Sequence, residues 1–285
     1  MAFQAYEDSQ DSQLIVHFED DSTARGDLLV GADGANSRVA RQLLPHAKRV
    51  DTGIVAISGR FPLDNAARSE TPPAVLRGPT LILGPAGRFM FASAVEYPSE
   101  AVTPDPEEYV MWGLSARAED LGLTTDSLTN VDANAAQAIA LRNMSGWAPA
   151  LRRMVERVDP RFTNTFAVKS ARPIAPWPTR NVTLLGDALH NMTPYRGMGA
   201  NVALRDAAAL GKALTAVSEG RMDLIASLAA YERDMIDYGF AAVRASLADM
   251  ERLHSRSPLQ RIMTKGLFRL VDAMPPLQRA FRGQR

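Results

Sequence analysis

Short apolar runs that end in glycine- or proline-bearing turns set the pattern of this chain. Leu14 to Phe18 reads as a strand and Glu19-Asp20-Asp21-Ser22 as a polar turn. Asp27 to Val30 predicts a second strand leading straight into Gly31-Ala32-Asp33-Gly34-Ala35-Asn36-Ser37. Ser37 suits a helix N-cap, Val39, Leu43 and Leu44 give the next helix an apolar side, and Pro45 ends it. From Val50 to Asn164 the periodicity changes. Ile54 to Phe61, Leu81 to Leu83, Arg88 to Val95 and Tyr109 to Leu114 are β-rich, with Gly84-Pro85-Ala86-Gly87 as a hairpin-like turn, which predicts an antiparallel sheet. Ala148 to Val158 reads as a helix closed by Asp159-Pro160, and Phe166 to Ser170 as a returning strand.

The densest pattern comes next. Val182 to Leu185 is a short apolar run of the kind a buried strand shows, ending at Gly186-Asp187-Ala188-Leu189-His190. After Asn191 to Asn201 comes an Ala-rich helix from Ala200 to Leu214, with Leu204, Ala207 and Ala208 spaced to face a sheet. The loop between is suited to a ligand: Pro194 stiffens it, and Gly197 and Gly199 allow positive φ or close approach of another molecule. Free N–H groups at the positive end of the following helix would stabilise an electron-rich group. Beyond Gly220 the chain is helical. Leu224, Leu228, Tyr231, Met235, Tyr238, Val243, Leu247, Met250 and Leu253 share one face, and Pro258 opens a further helix to Val271.

Composition narrows the function classes. With 46% hydrophobic and 22% charged residues in 285, the chain can bury a full core, in two domains. Lys+Arg and Asp+Glu are both 32, so no bulk field draws nucleic acid or an anionic membrane. Zero cysteines exclude disulfides, thiolate nucleophiles and Cys-held metals, and suit a cytoplasmic setting. No apolar run approaches the roughly 18 residues of a membrane helix. No His-x-x-x-His or other metal-type spacing occurs, and no Gly-x-Ser-x-Gly elbow of a hydrolase. His190 is expected to pack beside the loop rather than transfer protons. The tail arginines Arg261, Arg269, Arg279, Arg282 and Arg285 read as a solvated face.

Gly186-Asp187-Ala188-x-His190, Pro194, Gly197-x-Gly199-x-Asn201 and Asp206-Ala207 together resemble the second flavin fingerprint of the FAD-dependent aromatic hydroxylases, the para-hydroxybenzoate hydroxylase-like monooxygenases. The resemblance implies an α/β (mixed α+β) fold. A partial FAD-binding, Rossmann-like domain spans residues 1–49 and 165–220, an inserted antiparallel substrate domain 50–164, and a C-terminal helical region 221–285. It implies that Asp187 hydrogen-bonds the FAD ribityl chain, that Gly197, Met198, Gly199, Ala200 and Asn201 face the isoalloxazine, and that Gly186 and Pro194 shape the loop. Asp33-Gly34-x-x-Ser37 resembles the family's Asp-Gly motif, which adds Asp33 and Gly34 to the cofactor contacts. There the family places an arginine three residues after the serine; here Ala40 holds that position and Arg41 comes one later. In the family the inserted sheet roofs the flavin, which makes Phe89, Phe91, Tyr97, Met111 and Trp112 candidates for the substrate wall.

The implied activity is monooxygenation of a small aromatic or other electron-rich substrate with NAD(P)H and O2 through a flavin C4a-hydroperoxide, the cofactor and not a side chain carrying the catalysis. A flavin-dependent dehydrogenase or reductase, or an inactive remnant serving as a binding module, are the alternative readings. The family opens with a Gly-x-Gly-x-x-Gly turn, and among the 19 glycines here only Gly197 and Gly199 form a Gly-x-Gly, with Val202 where the third would stand. An N-terminally shortened member is therefore expected.

Overall fold

A computed structural model describes residues 2–8, 13–97 and 107–273. In chain order the elements are β1 (Phe3–Asp8), β2 (Leu14–Phe18), β3 (Thr23–Gly26), β4 (Leu29–Gly31), α1 (Arg38–Leu43), β5 (Arg49–Pro62), α2 (Asn65–Glu70), α3 (Pro73–Leu76), β6 (Thr80–Leu83), β7 (Phe89–Val95) and β8 (Tyr109–Arg117). Then come α4 (Ala118–Leu121), α5 (Ala133–Asn143), α6 (Pro149–Glu156), β9 (Asn164–Ala171), β10 (Val182–Leu184), α7 (Asp187–His190), α8 (Gly199–Ser218), α9 (Leu224–Leu253) and α10 (Pro258–Ala273). The chain divides into two compact units, Met1–Val50 with Lys169–Met250, and Asp51–Val168 with Glu251–Arg285. The predicted helical region 221–285 is thus shared: Leu224 to Met250 belongs to the first unit and the remainder to the second.

The first unit is built on a parallel pair. β10 runs beside β4 in the register Val182↔Leu29, Thr183↔Val30 and Leu184↔Gly31, so both strands leave the sheet at the same end. Val182, Thr183 and Leu184 have no exposed surface, as befits a strand covered on both faces. A separate antiparallel sheet, β1-β2-β3, precedes it. Sequence periodicity located β2 but neither β1 nor β3, and placed the next strand at Asp27–Val30 where pairing begins at Leu29. Leu14, Val39, Leu44, Val182, Leu184, Leu228, Met235 and Val243 belong to one core cluster.

One expectation is corrected here. On α8 the buried positions are Val202, Asp206, Leu210 and Ala216, whereas Leu204 is 69% exposed and Ala207 and Ala208 face solvent. At 100° per residue Leu204 lies nearly opposite Val202, and a buried carboxylate at Asp206 marks the inward face where an apolar residue was sought. On α9 the predicted stripe holds: Leu228, Tyr231, Met235, Val243, Met250 and Leu253 are buried.

The second unit contains the antiparallel sheet β6-β7-β8-β5-β9. Its inner face packs Val55, Ile57, Met90, Leu114 and Trp112 against Ala136, Ala140, Met154 and Val155 from α5 and α6. Each fully buried Ile, Leu or Met side chain contributes about 1.5–3 kcal/mol. Arg261 does not make the solvated face expected of it: its guanidinium donates to the carbonyls of Gly84 and Ser255. Arg279, Arg282 and Arg285 lie outside the described residues, as does the Arg269 side chain. Among the described residues no helix is long and apolar enough to cross a membrane.

Glu232 of α9 is 3% exposed and accepts from Thr179 Oγ1 at 2.6 Å and Thr183 Oγ1 at 2.8 Å. Burial raises its carboxyl above the ordinary value of 4.5, and the two hydroxyls offset this only in part. A raised folded pKa means the folded state binds the proton more tightly, so this stabilisation is full below 4.5 and is lost as pH climbs through the folded value. Glu232→Gln should therefore gain on the wild type as pH rises through that window and run parallel to it above. Urea midpoints of both proteins across a pH series check this; parallel profiles throughout would contradict it.

Candidate functional site

Two strand ends of the first unit converge. β4 ends at Gly31 and β10 at Leu184, paired residues, so the turns that begin at Ala32 and Leu185 leave side by side. The 3-10 turn Gly34–Asn36 packs against α7. In open parallel sheets, ligands bind outside such carboxyl ends.

At the first turn, the Asp33 Oδ2 accepts from the N–H groups of Arg38 at 2.7 Å and Val39 at 3.4 Å, and the Ser37 hydroxyl accepts from the Ala40 N–H at 2.8 Å. Partial burial pushes the Asp33 carboxyl up, but the hydrogen bonds from Ser37, Arg38 and Val39 win and hold it below the usual carboxylate range. Arg41, one place beyond the family's arginine, donates to the Asn36 carbonyl at 3.1 Å and so turns back on the same loop.

At the second turn, Gly186 has φ +62 and ψ −141, a conformation closed to other residues, and a Cβ there would lie 3.1 Å from that of Ala203. Asp187 is next, exposed, its carboxylate accepting no hydrogen bond among the described residues. His190 was expected to pack near this loop and does. It is 1% exposed, its Nε2 donating to Asp206 Oδ2 at 2.7 Å, its ring lying where a Cβ on Gly239 of α9 would come within 2.6 Å.

The loop continues through Met192 and Thr193, both buried, the latter donating to the Ser246 carbonyl at 3.0 Å. A 3-10 turn at Pro194–Arg196 ends at Gly197, whose φ of +62 is left-handed. Gly199 differs from the expectation: its φ is not positive, and it simply opens α8, a Cβ there meeting only Met192 Cγ at 3.9 Å. Pro194, Gly197, Met198, Ala200 and Asn201 are exposed. The N–H groups of Gly199, Ala200 and Asn201, in the first turn of a 20-residue helix, have no helical partner. Beside the loop a cavity of 280 Å³ is lined by Arg196, Met198, Ala241, Ala242 and Ala245. Nothing in the sequence signalled it, because small residues on α9 carry no pattern of their own.

In the second unit, strand register separates the aromatic candidates. Phe89↔Ser115, Phe91↔Gly113 and Ser93↔Met111 put Phe89, Phe91 and Met111 on one face of the sheet. Phe91 is half-buried and Met111 is 38% exposed, while Phe89 is buried with its ring 6.0 Å from that of His254. Arg60, opposite Met111, stacks over Tyr109 and Phe162 at 5.3 Å from each ring centre. Trp112 points the other way. It is 1% exposed in the core, its indole so close to Gly59 that a Cβ would sit 2.9 Å from it, and it has no surface to offer a substrate. Tyr97 lies just past the end of β7 and is 39% exposed.

Comparison with known proteins gives three kinds of match. Residues 106–246 match the family described as FAD binding domain. Among characterised proteins, the chain is 35% identical over 263 residues to the dual O-methyltransferase/FAD-dependent monooxygenase elcB of Phaeosphaeria nodorum, covering 80% of this chain and 28% of that protein. It is 32% identical over 229 residues to the FAD-dependent urate hydroxylase of Klebsiella pneumoniae, covering 79% and 51%. The chain thus spans about half or less of the length of these relatives. Among solved structures, an FAD-containing monooxygenase of Photorhabdus luminescens superposes with a TM-score of 0.80 at 32% identity, covering 89% of this chain and 68% of that one. Klebsiella pneumoniae HpxO, solved with FAD and uric acid, shares the fold at a TM-score of 0.75 and 24% identity.

The capping role of Asp33 is open to measurement. Asp33→Ala should cost about 1 kcal/mol by freeing two donors at the start of α1. Thermal melts at neutral pH test it; an unchanged midpoint would mean that solvent serves those donors equally well.

Proposed function

Since the chain belongs to the FAD-dependent monooxygenases of the aromatic-hydroxylase type, we propose that it holds the ribityl and isoalloxazine part of FAD at the carboxyl ends of β4 and β10. The whole protein would hydroxylate a small aromatic or other electron-rich substrate with NAD(P)H and O2. The observation that carries this reading is Asp187: an exposed, unpartnered carboxylate one residue past a strained glycine at a parallel strand's end. The residues present fit the cofactor. A polyhydroxylated chain needs a carboxylate acceptor, and an electron-rich ring edge needs unpaired N–H donors at a long helix's N-terminus.

Bound FAD would supply the redox chemistry, taking electrons from the nicotinamide and passing them to dioxygen. The chain's part is binding, orientation and exclusion of water. Asp187 accepts a hydrogen bond from a ribityl hydroxyl. The N–H groups of Gly199, Ala200 and Asn201 stabilise negative charge on the ring, aided by the α8 dipole. Gly197 provides the left-handed residue that aims the loop, and Pro194 and Met198 shield it. Gly186 sets the approach to Asp187, and the Asp33-Gly34 turn borders it. In the second unit Phe91 and Met111, which keep surface on one face of the sheet, are the candidates for substrate contact, whereas Phe89 is buried. Relatives named as urate hydroxylases support a small planar substrate.

Two substitutions test the assignment. Asp187→Ala should leave the fold intact and weaken FAD binding by about one to two decades, the loss of a charge-assisted hydrogen bond contributing about 1.5–3 kcal/mol. Fluorescence titration with FAD measures it, and unchanged affinity would refute the ribityl role. At Gly199 the folded chain has room for a side chain, so Gly199→Val should melt within about 1 kcal/mol of wild type, the helix-propensity scale. It should nevertheless lose flavin affinity, because the branched side chain occupies the ring's approach. Normal titration would show that the ring lies elsewhere.

A further inference from the structure

Asp206 is a carboxylate in the middle of a helix with no exposed surface, and the donors that surround it are not scattered. Its Oδ2 accepts the Gly186 N–H at 2.7 Å and the His190 Nε2–H at 2.7 Å, and its Oδ1 accepts the Tyr238 hydroxyl at 2.6 Å. Gly186 and His190 are the two ends of one turn: Gly186 precedes α7, and His190 is its last residue. Four residues make too short a helix to hold its own shape. A single oxygen of Asp206 ties that turn at both ends, and the exposed Asp187 lies between the ties.

The surroundings are shaped to the same end. Gly239, inside the 30-residue α9, leaves space for the imidazole where any side chain would collide with it. The His190 Nδ1 is buried without a partner among the described residues, where Asp206 is the ring's one polar attachment. Tyr238 holds the other carboxylate oxygen and is itself covered by the Arg205 guanidinium, 3.7 Å above its ring.

We infer that Asp206 is the positioning residue of the site: through Gly186 and His190 it fixes the turn that presents the Asp187 carboxylate to the ribityl chain. This rests on the assignment of Asp187 to the flavin. Asp206, with no exposed surface, would act through the turn and not on the flavin itself.

The test compares four variants by amide hydrogen exchange over residues 184–192 of the flavin-free protein, FAD titration, and melting temperature. Asp206→Asn keeps the shape but removes the charge and one acceptor oxygen, so the bonds from the Gly186 N–H and the His190 Nε2–H lose their charge assistance. It should speed exchange in the turn by about tenfold or more and weaken FAD by a similar factor, with β4 and β10 still protected. Tyr238→Phe removes the bond to the other oxygen and leaves both ties in place. Even where its melting temperature falls comparably, turn exchange and FAD affinity should stay within about threefold of wild type. If Asp206→Asn does not fold, His190→Leu cuts one tie and should speed exchange across 187–190 and weaken FAD. If both Asp206→Asn and Tyr238→Phe change exchange and affinity only in proportion to lost stability, Asp206 is a core group and the inference is overturned. It is also overturned if His190→Leu leaves exchange and affinity unchanged. Asp187→Ala separates the two ideas. Weaker FAD there, with Asp206→Asn normal in both readouts, overturns the positioning role alone; unchanged FAD there, with turn exchange raised in Asp206→Asn, overturns the flavin assignment and with it the role inferred for Asp206.

Discussion

The first unit depends on the problem of a carboxylate without water. Asp206 has no exposed surface, and an ionised group in that setting must be met by donors or it destabilises the fold by several kcal/mol. The donors come from two segments that are far apart in sequence: the turn from Gly186 to His190 that follows β10, and Tyr238 in the middle of α9. Satisfying one side chain therefore fixes where a strand stops, how the chain turns, and how two long helices meet. Glu232 of α9 repeats the device, gathering Thr179 ahead of β10 and Thr183 within it. Apolar packing around Leu184, Leu228 and Met235 supplies most of the stabilisation, but it is tolerant of small shifts. Hydrogen bonds to a buried charge are not, and they select one geometry.

Parallel pairing turns that local geometry into a site. Because Leu184 and Gly31 are paired and their strands run the same way, the two turns emerge together, one with a committed carboxylate and one with a free one. Asp33 is engaged with the N–H groups at the start of α1, whereas Asp187 opens a helix of only four residues and its carboxylate stays exposed. The same strand-end arrangement thus gives two aspartates different work, and the difference lies in the helical turn that each one introduces.

How much of this could be read beforehand depended on how each element declares itself. β2, the hairpin turn at residues 84–87, the Ser37 cap and the buried stripe of α9 carry strong local signals, and they stand where the sequence put them. β1 was invisible because of its six residues only Tyr6 is buried, so its alternation is faint. α5 has small side chains and a modest amphipathic pattern; Asp132, whose side chain accepts from the Ala135 N–H at 2.8 Å, was the available signal. The face of α8 was misjudged because its inward centre is Asp206, and no hydrophobic pattern anticipates a buried carboxylate. Trp112 and Met111 look alike as pocket candidates in the sequence, and only the pleat, with Gly59 hollowed beneath the indole, tells them apart. The residues in the flavin loop were legible as a motif, but their division of labour was not, since Gly197 takes the left-handed turn and Gly199 does not.

A glycine inside a helix is commonly regarded as room for improvement, since alanine there is worth up to about 1 kcal/mol. The two long helices of the first unit give that rule opposite outcomes. At Gly211 a methyl group would meet nothing within 4 Å, and the position is free to drift toward better helix formers. At Gly239 it would strike the His190 ring, so the weaker helix former is retained by the imidazole it makes space for. Sequence drift along these helices is therefore constrained unevenly: residue 211 is a reservoir of stability that selection can draw on, and residue 239 is held at glycine for as long as position 190 carries its imidazole.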